Sequence, residues 1–322
     1  MLKKHFSLFL AALAAAACLV VFAGCSTNGT AQSPRSESGD KVSVVASFYP
    51  MYDFAQKVGG DRVDVTCLVP AGTEPHDWEP STADMKTIAS AKVLVYSGAG
   101  MEHWVNDVTS AADNKDLVSV EASRGVDLLP ATGDEDEHEA AHEGDHAHGQ
   151  YDPHVWLSPA TAKVEMANIR DALITADPDG KDAYEKNYEK YADMLDELDQ
   201  KYASELAGTA SKSIVVSHQA FGYLCDRYGL TQVPVEGIEA DSEPDAKTMA
   251  KIVDFVKENG TKTIFSEELV SPKAAQAISD ETGASLEVLN PLEGLTDEQI
   301  SAGEDYFSVM ESNLDKLVKA LS

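Results

Sequence analysis

From Val42 to Leu321, short β-rich runs alternate with helical stretches, and the rhythm breaks once, near the middle of the chain. The runs at 42–47, 63–69, 93–97 and 117–121 read as strands, with helices expected at 51–58, 81–91 and 102–112 between them. After the break come strands at 214–217, 231–235, 263–266 and 285–289 and helices at 219–228, 242–259, 271–283 and 304–321. Strands alternating with helices of this length build parallel sheets covered by helices. The pattern therefore predicts an α/β protein of two lobes, each a mainly parallel sheet flanked by helices. No close internal repeat relates the lobes.

The break is a run of Asp, Glu and His with Ala and Gly between them, residues 134–149. It has almost nothing apolar to bury and reads as a surface loop. A helix start follows at once: Ser158 is a good cap and Pro159 suits the first helical position, so Pro159–Ala176 should be helical. A second helix is expected over 182–206. Its Tyr184, Tyr188, Tyr191, Leu195, Leu198 and Tyr202 recur at three- and four-residue steps, which makes one apolar stripe for packing.

The first 23 residues begin with Lys3 and Lys4, run apolar from Phe6 and end in small side chains, as secretory signals do. Phe22-Ala-Gly-Cys25 resembles a bacterial lipobox, which would make Cys25 the lipidated mature N-terminus; a retained anchor or a plain cleaved signal are the competing readings. The expected organisation is a signal peptide over 1–24, a lipidated polar tether over 25–41, an N-terminal lobe over 42–158, a linking helix over 159–176 and a C-terminal lobe over 177–322. Cys67 and Cys225, the two cysteines beyond the leader, lack metal-site spacing and are expected as separate buried thiols. The formal charge of −30 excludes nucleic acid as a partner and suits a protein that attracts a cation.

In parallel α/β sheets ligands bind beyond the carboxyl ends of the strands. His76 follows the 63–69 run, His154 precedes the linking helix, His218 follows 214–217 and Glu293 follows 285–289. A lone loop histidine is usually just solvated. Four such positions together, two in proline-fixed turns (Glu74-Pro75-His76 and Asp152-Pro153-His154), point to a metal between the lobes. Three imidazoles and a carboxylate suit Zn²⁺, whereas Mn²⁺ would want more oxygen. The fourth ligand stays open among Glu293, Glu267, Glu268, Glu74 and water, with Glu293 preferred by its place after a strand. His103 is expected on the surface or at the cleft rim. His138, His142, His146 and His148 in the acidic loop form an accessory, weaker metal-binding tract.

Ser47-Phe-Tyr-Pro50, Glu74-Pro-His-Asp-Trp-Glu-Pro80, Asp152-Pro-His-Val-Trp-Leu-Ser-Pro159, Val216-Ser-His-Gln-Ala-Phe-Gly222 and Leu289-Asn-Pro-Leu-Glu293 together resemble the zinc-binding solute-binding lipoproteins of bacterial ABC importers, the cluster A-I family. The resemblance runs from Val42 to the C-terminus. It implies a two-lobe fold bridged by one long rigid helix, here Pro159–Ala176, and a metal held by His76, His154, His218 and a late carboxylate or water. Histidine at 218, where manganese relatives usually carry Glu, implies zinc. The implied protein is a monomer, lipid-anchored to the outer face of the bacterial cell membrane, which captures Zn²⁺ and delivers it to an ABC permease with a cytoplasmic ATPase. The chain has no Gly-x-x-x-x-Gly-Lys-Ser/Thr motif of its own. Alternatives are a manganese-type binding protein, a zinc-storing surface adhesin and, from another class, a zinc hydrolase whose three histidines would leave a corner open for water.

Overall fold

The structure is a computed structural model that describes residues 41–131, 150–238, 240 and 244–322. The leader, Cys25, most of the tether and the tract with His138, His142, His146 and His148 lie outside the described residues.

The first half runs β1 (Val42–Ala46), α1 (Tyr49–Gly59), β2 (Val63–Cys67), α2 (Thr82–Ser90), β3 (Val93–Tyr96), α3 (Val105–Ala111) and β4 (Val118–Glu121). Then come α4 (Pro159–Ala176) and α5 (Lys181–Ala207). The second half runs β5 (Ser213–Val216), α6 (Gly222–Tyr228), β6 (Thr231–Pro234), α7 (Ala246–Asn259), β7 (Thr263–Ser266), α8 (Lys273–Thr282), β8 (Ser285–Val288), α9 (Asp297–Ala302) and α10 (Tyr306–Leu321). Each half forms a four-stranded sheet, ordered β2-β1-β3-β4 and β6-β5-β7-β8, and every pairing is parallel. The two halves thus share one topology although their sequences show no repeat.

Alternation along the strands sorts side chains to the two faces. Val44, Ala46, Val93 and Val95 join a central apolar cluster with Ile214, Val216 and Phe265 of the second sheet. Their neighbours Val45 and Leu94 pack outward with Ile88, Trp104 and Val108, while Val215 and Ile264 pack outward with Ile252, Val256 and Ile278. The central cluster is shared by both halves, with Phe48 packing edge-on against Trp156 and Phe54 against Tyr306.

The linking helix α4 has the expected limits and, at about 1.5 Å per residue, is about 27 Å long. It packs on α1, β3, β4 and α5. The 27-residue α5 touches α1 of the first half and α6 and α10 of the second, so it shares in joining the halves. The α5 stripe is packing, as expected: Tyr184, Leu195, Leu198 and Tyr202 are buried, and the Tyr202 hydroxyl donates to the Met310 carbonyl at 2.6 Å.

Local departures from the sequence reading have local causes. Ser81 and Asp84 form the expected capping box, but Ser158 makes no side-chain cap bond. α7 runs over Ala246–Asn259, with Asp245 capping it by accepting the Thr248 N–H, while the expected start at Ser242 lies outside the described residues. α3 starts at Val105 rather than 102, since Glu102 turns back to accept the Ser97 and Gly98 N–H groups and the Ser47 hydroxyl. α9 was not foreseen, although Thr296 and Gln299 form a capping box there. Cys67 and Cys225 are both free; Cys225 is buried, whereas Cys67 is only half-buried.

One buried group faces the core without a charged partner. Glu165 on α4 is fully buried, its Oε1 accepts a 3.4 Å bond from the Ser97 hydroxyl, and its Oε2 has no partner among the described residues. Burial pushes its pKa well above the usual carboxylate range, and the nearby Glu102 adds to the rise. A raised folded-state pKa means that the stability this proton contributes is complete below the unfolded carboxylate value and is lost as pH rises through the folded one. Glu165→Gln should therefore flatten the loss of thermal stability as pH rises above the ordinary carboxylate range. Parallel melting-temperature profiles for variant and parent would refute this.

Candidate metal centre

Four turns at the carboxyl ends of strands, or at the start of α4, meet between the sheets. His76 lies in the turn after β2, His154 in the turn that leads through a single 3-10 turn (Val155–Leu157) into α4, His218 directly after β5 and Glu293 after β8. His154, His218 and Glu293 are buried, and His76 is half-buried. Their ligand atoms all lie within 4.8 Å of one another. His76 Nε2 is 3.2 Å from both His154 Nε2 and Glu293 Oε1. His154 Nε2 is 3.0 Å from Glu293 Oε1, and His218 Nε2 is 3.2 Å from both. A tetrahedron with metal–ligand bonds of about 2.0 Å has edges of about 3.3 Å, so these separations fit four ligands around one zinc ion.

The hydrogen bonds fix which ring nitrogens face inward. Asp152 Oδ1 sits 2.8 Å from His154 Nδ1, and Glu267 Oε1 sits 2.7 Å from His218 Nδ1. A carboxylate only accepts, so each ring carries its proton on Nδ1 and turns a lone pair on Nε2 toward the centre. Two imidazole lone pairs and a carboxylate oxygen then face one another at about hydrogen-bond distance. Such a cluster holds together only around positive charge, either protons or a metal ion.

The titration shifts agree. Burial pulls the pKa of His154 down, but the hydrogen bonds and charges of Asp152 and Glu293 outweigh it and leave it raised. Burial acts the same way on His218 and is outweighed by the charges of Glu267 and Glu293, which leave it well above the ordinary imidazole value. Burial would raise the Glu293 pKa, yet the His218 charge and the hydrogen bonds from His154, His218 and His76 hold it well below the usual range.

The loop that carries Glu293 is tightly held. Asn290 exchanges bonds with Asn313 on α10: its N–H donates to Asn313 Oδ1 at 3.0 Å, and Asn313 Nδ2 donates to its carbonyl at 2.7 Å. Asn290 Oδ1 accepts the Leu292 N–H at 2.6 Å, and Leu292 sits at φ 58°, a left-handed conformation unusual for leucine. The Trp156 indole donates to the Pro291 carbonyl at 2.8 Å, and the Tyr306 hydroxyl donates to the Trp156 carbonyl at 2.8 Å. The turn behind His154 and the loop of Glu293 are thus fastened to each other. Gly222 opens α6 beside this turn, where an added Cβ would collide with the Asp152 carboxylate.

A cleft of about 860 Å³ opens beside His76, lined by Glu74, Asp77, Trp78 and Glu79 from one half and by Glu236 and Lys273, among others, from the other. Its excess of carboxylates favours the approach of cations.

All four sequence-predicted ligands, His76, His154, His218 and Glu293, therefore converge. The rival carboxylates are elsewhere: Glu267 binds the back of His218, Glu74 accepts the His76 N–H at 3.0 Å, and Glu268 is outside the cluster. His103 lies at the rim of the same region, 3.0 Å from Glu79. Sequence reasoning missed Asp152 and Glu267 as supports for the ligands, and Asn313 and Trp156 as anchors of the Glu293 loop. The two-residue spacing of Asp152 and His154 was a usable signal for the first; the others depend on contacts between distant segments.

Comparison with known proteins points the same way. A family profile described as "Zinc-uptake complex component A periplasmic", ZnuA, matches residues 44–320. The high-affinity zinc uptake system protein ZnuA of Bacillus subtilis is 42% identical over 321 residues, covering 100% of this chain and 99% of its own. The zinc-binding lipoprotein AdcA of Streptococcus pneumoniae is 40% identical over 98% of this chain, which spans 60% of AdcA. Among solved structures, the Zn(II)-bound ZnuA-like domain of that AdcA superposes with a TM-score of 0.75 at 40% identity, covering 87% of this chain and 99% of the domain. The chain belongs to the ZnuA family, the component A proteins of periplasmic zinc uptake.

Proposed function

We propose that this chain captures one Zn²⁺ outside the cytoplasmic membrane, between His76, His154, His218 and Glu293, and delivers it to an ABC permease driven by a cytoplasmic ATPase. The observation that carries the reading is the set of three ring nitrogens and one carboxylate oxygen within 4.8 Å of one another, five of their six separations being 3.0–3.2 Å, a spacing that one metal ion would fill. Three neutral imidazoles and one carboxylate match the preferences of zinc better than those of manganese. Zinc is the cargo here and not a reagent. With a protein carboxylate on the fourth corner, no position is left for an activated water, and the chain is a transport component rather than an enzyme. The Cys25 lipid anchor, the 25–41 tether, the monomeric state and the accessory role of the histidine-rich tract belong to the same proposal.

Chelator competition on protein beginning at Ser26 should find one tight zinc site. A His76, His154, His218→Ala triple variant should lose it, and deletion of residues 134–149 should remove only weaker sites. Tight zinc that survives the triple variant and leaves with the deletion would move the cargo site to the loop.

The same assay has an expected pH profile. In the absence of zinc the raised pKa values of His154 and His218 make protons compete for the site. Affinity should therefore fall with decreasing pH, with the decline beginning above the ordinary imidazole value of about 6.5. Affinity flat down to pH 5 would rule out a histidine-dominated centre.

For the anchor, Cys25→Ser expressed in a bacterial host should lose metabolic labelling by fatty acid and pass from the membrane fraction to the soluble one. Retention of both would refute lipidation at this residue.

A further inference from the structure

The two buried imidazoles, His154 and His218, are oriented by the same device built in two ways. In each, one carboxylate oxygen accepts both the ring Nδ1–H and the backbone N–H of the same histidine. Asp152 Oδ1 receives the His154 N–H at 2.9 Å and Nδ1 at 2.8 Å; Glu267 Oε1 receives the His218 N–H at 3.2 Å and Nδ1 at 2.7 Å. Asp152 travels with its histidine, two residues away. Glu267 comes from a different strand. The register of β5 on β7 sets Val216 opposite Phe265, so two residues further on His218 and Glu267 emerge level from adjacent strands. The Ser217 hydroxyl, donating to the Phe265 carbonyl at 3.3 Å, holds that register at the strand ends. Both side chains are almost completely buried, so water does not compete for the bond. His76 has no such partner on its ring among the described residues.

We infer that Glu267 is a positioning residue for the metal site: by fixing the proton of His218 on Nδ1, it makes Nε2 the ligand atom and points it at Glu293 and His154. The inference rests on the zinc-binding reading above. Without an acceptor at this place the ring gains freedom to turn and to carry its proton on Nε2, the tautomer that cannot bind a metal from the centre. Partners of this kind typically contribute tenfold to a hundredfold to metal affinity. Two N–H donors converge on the one Glu267 oxygen. A glutamine there can satisfy both only by presenting its amide oxygen, so Glu267→Gln keeps the required tautomer, whereas Glu267→Leu has a similar bulk and no acceptor.

The test is zinc affinity of the parent, Glu267→Gln and Glu267→Leu by chelator competition. It is paired with ¹⁵N-histidine NMR of the His218 ring and with the cobalt(II) absorption spectrum, with apo-protein melting temperature as the check on folding. The expected result is about a tenfold to hundredfold loss for Glu267→Leu, with an altered cobalt spectrum and loss of the single Nδ1–H tautomer. Glu267→Gln should recover most of the affinity and the parent ring spectrum. Equal affinity in all three folded proteins overturns the inference and leaves the zinc reading intact. Equal loss in Gln and Leu also overturns it, because charge or packing and not proton placement would then be at work. A parent with no tight zinc site would overturn the zinc reading itself, and this inference with it.

Discussion

Four electron-rich atoms, three ring nitrogens and a carboxylate oxygen, lie within 4.8 Å of one another, and five of their six separations are 3.0–3.2 Å. Left to themselves they would separate or take up protons. Much of the surrounding structure holds them in place. Asp152 and Glu267 keep two rings from turning, and the bonds from Asn313, Trp156 and Asn290 keep the Glu293 loop from retreating. The strained backbone at Leu292 belongs to the same restraint. Strain of this kind persists where neighbouring bonds over-determine it, and it is concentrated at functional sites.

The sheets explain why these four side chains can meet. Parallel pairing sends the loops after β2, β5, β7 and β8 out from carboxyl ends of strands, the usual ligand-bearing edge of open α/β sheets. The turn into α4 adds His154 from between the two halves. Two identical strand orders serve quite different ends, however. The first sheet delivers His76, from its edge strand β2, while the second delivers His218 and Glu293 together with Glu267, whose carboxylate lies 2.7 Å from His218 Nδ1.

The sequence revealed most of the architecture because apolar periodicity and helix caps are local signals. The strands, the limits of α4 and the Ser81 capping box could be read directly, and His76, His154, His218 and Glu293 could be proposed because each follows a strand or precedes a helix. The parts that stayed hidden depend on distant partners. Glu267 looked like a rival ligand until the pairing of β5 with β7 placed it behind His218. Asn313, an ordinary polar residue of α10 in the sequence, is fully buried against Asn290. The late start of α3 depends on Glu102 folding back to Ser47, which lies 55 residues away.

The apolar cluster shared by the two halves, in which Phe48 packs on Trp156 and Phe54 on Tyr306, also limits how the protein can let its cargo go. Pulling the halves apart would expose these aromatic side chains, at about 1.5–3 kcal/mol for each large one stripped of its neighbours. A jaw-like opening would therefore work against the core of the molecule. His76 is the one half-buried member of the four, and its neighbours Glu74 and Asp77 line the acidic cleft. Loaded and empty forms should then have nearly the same outline.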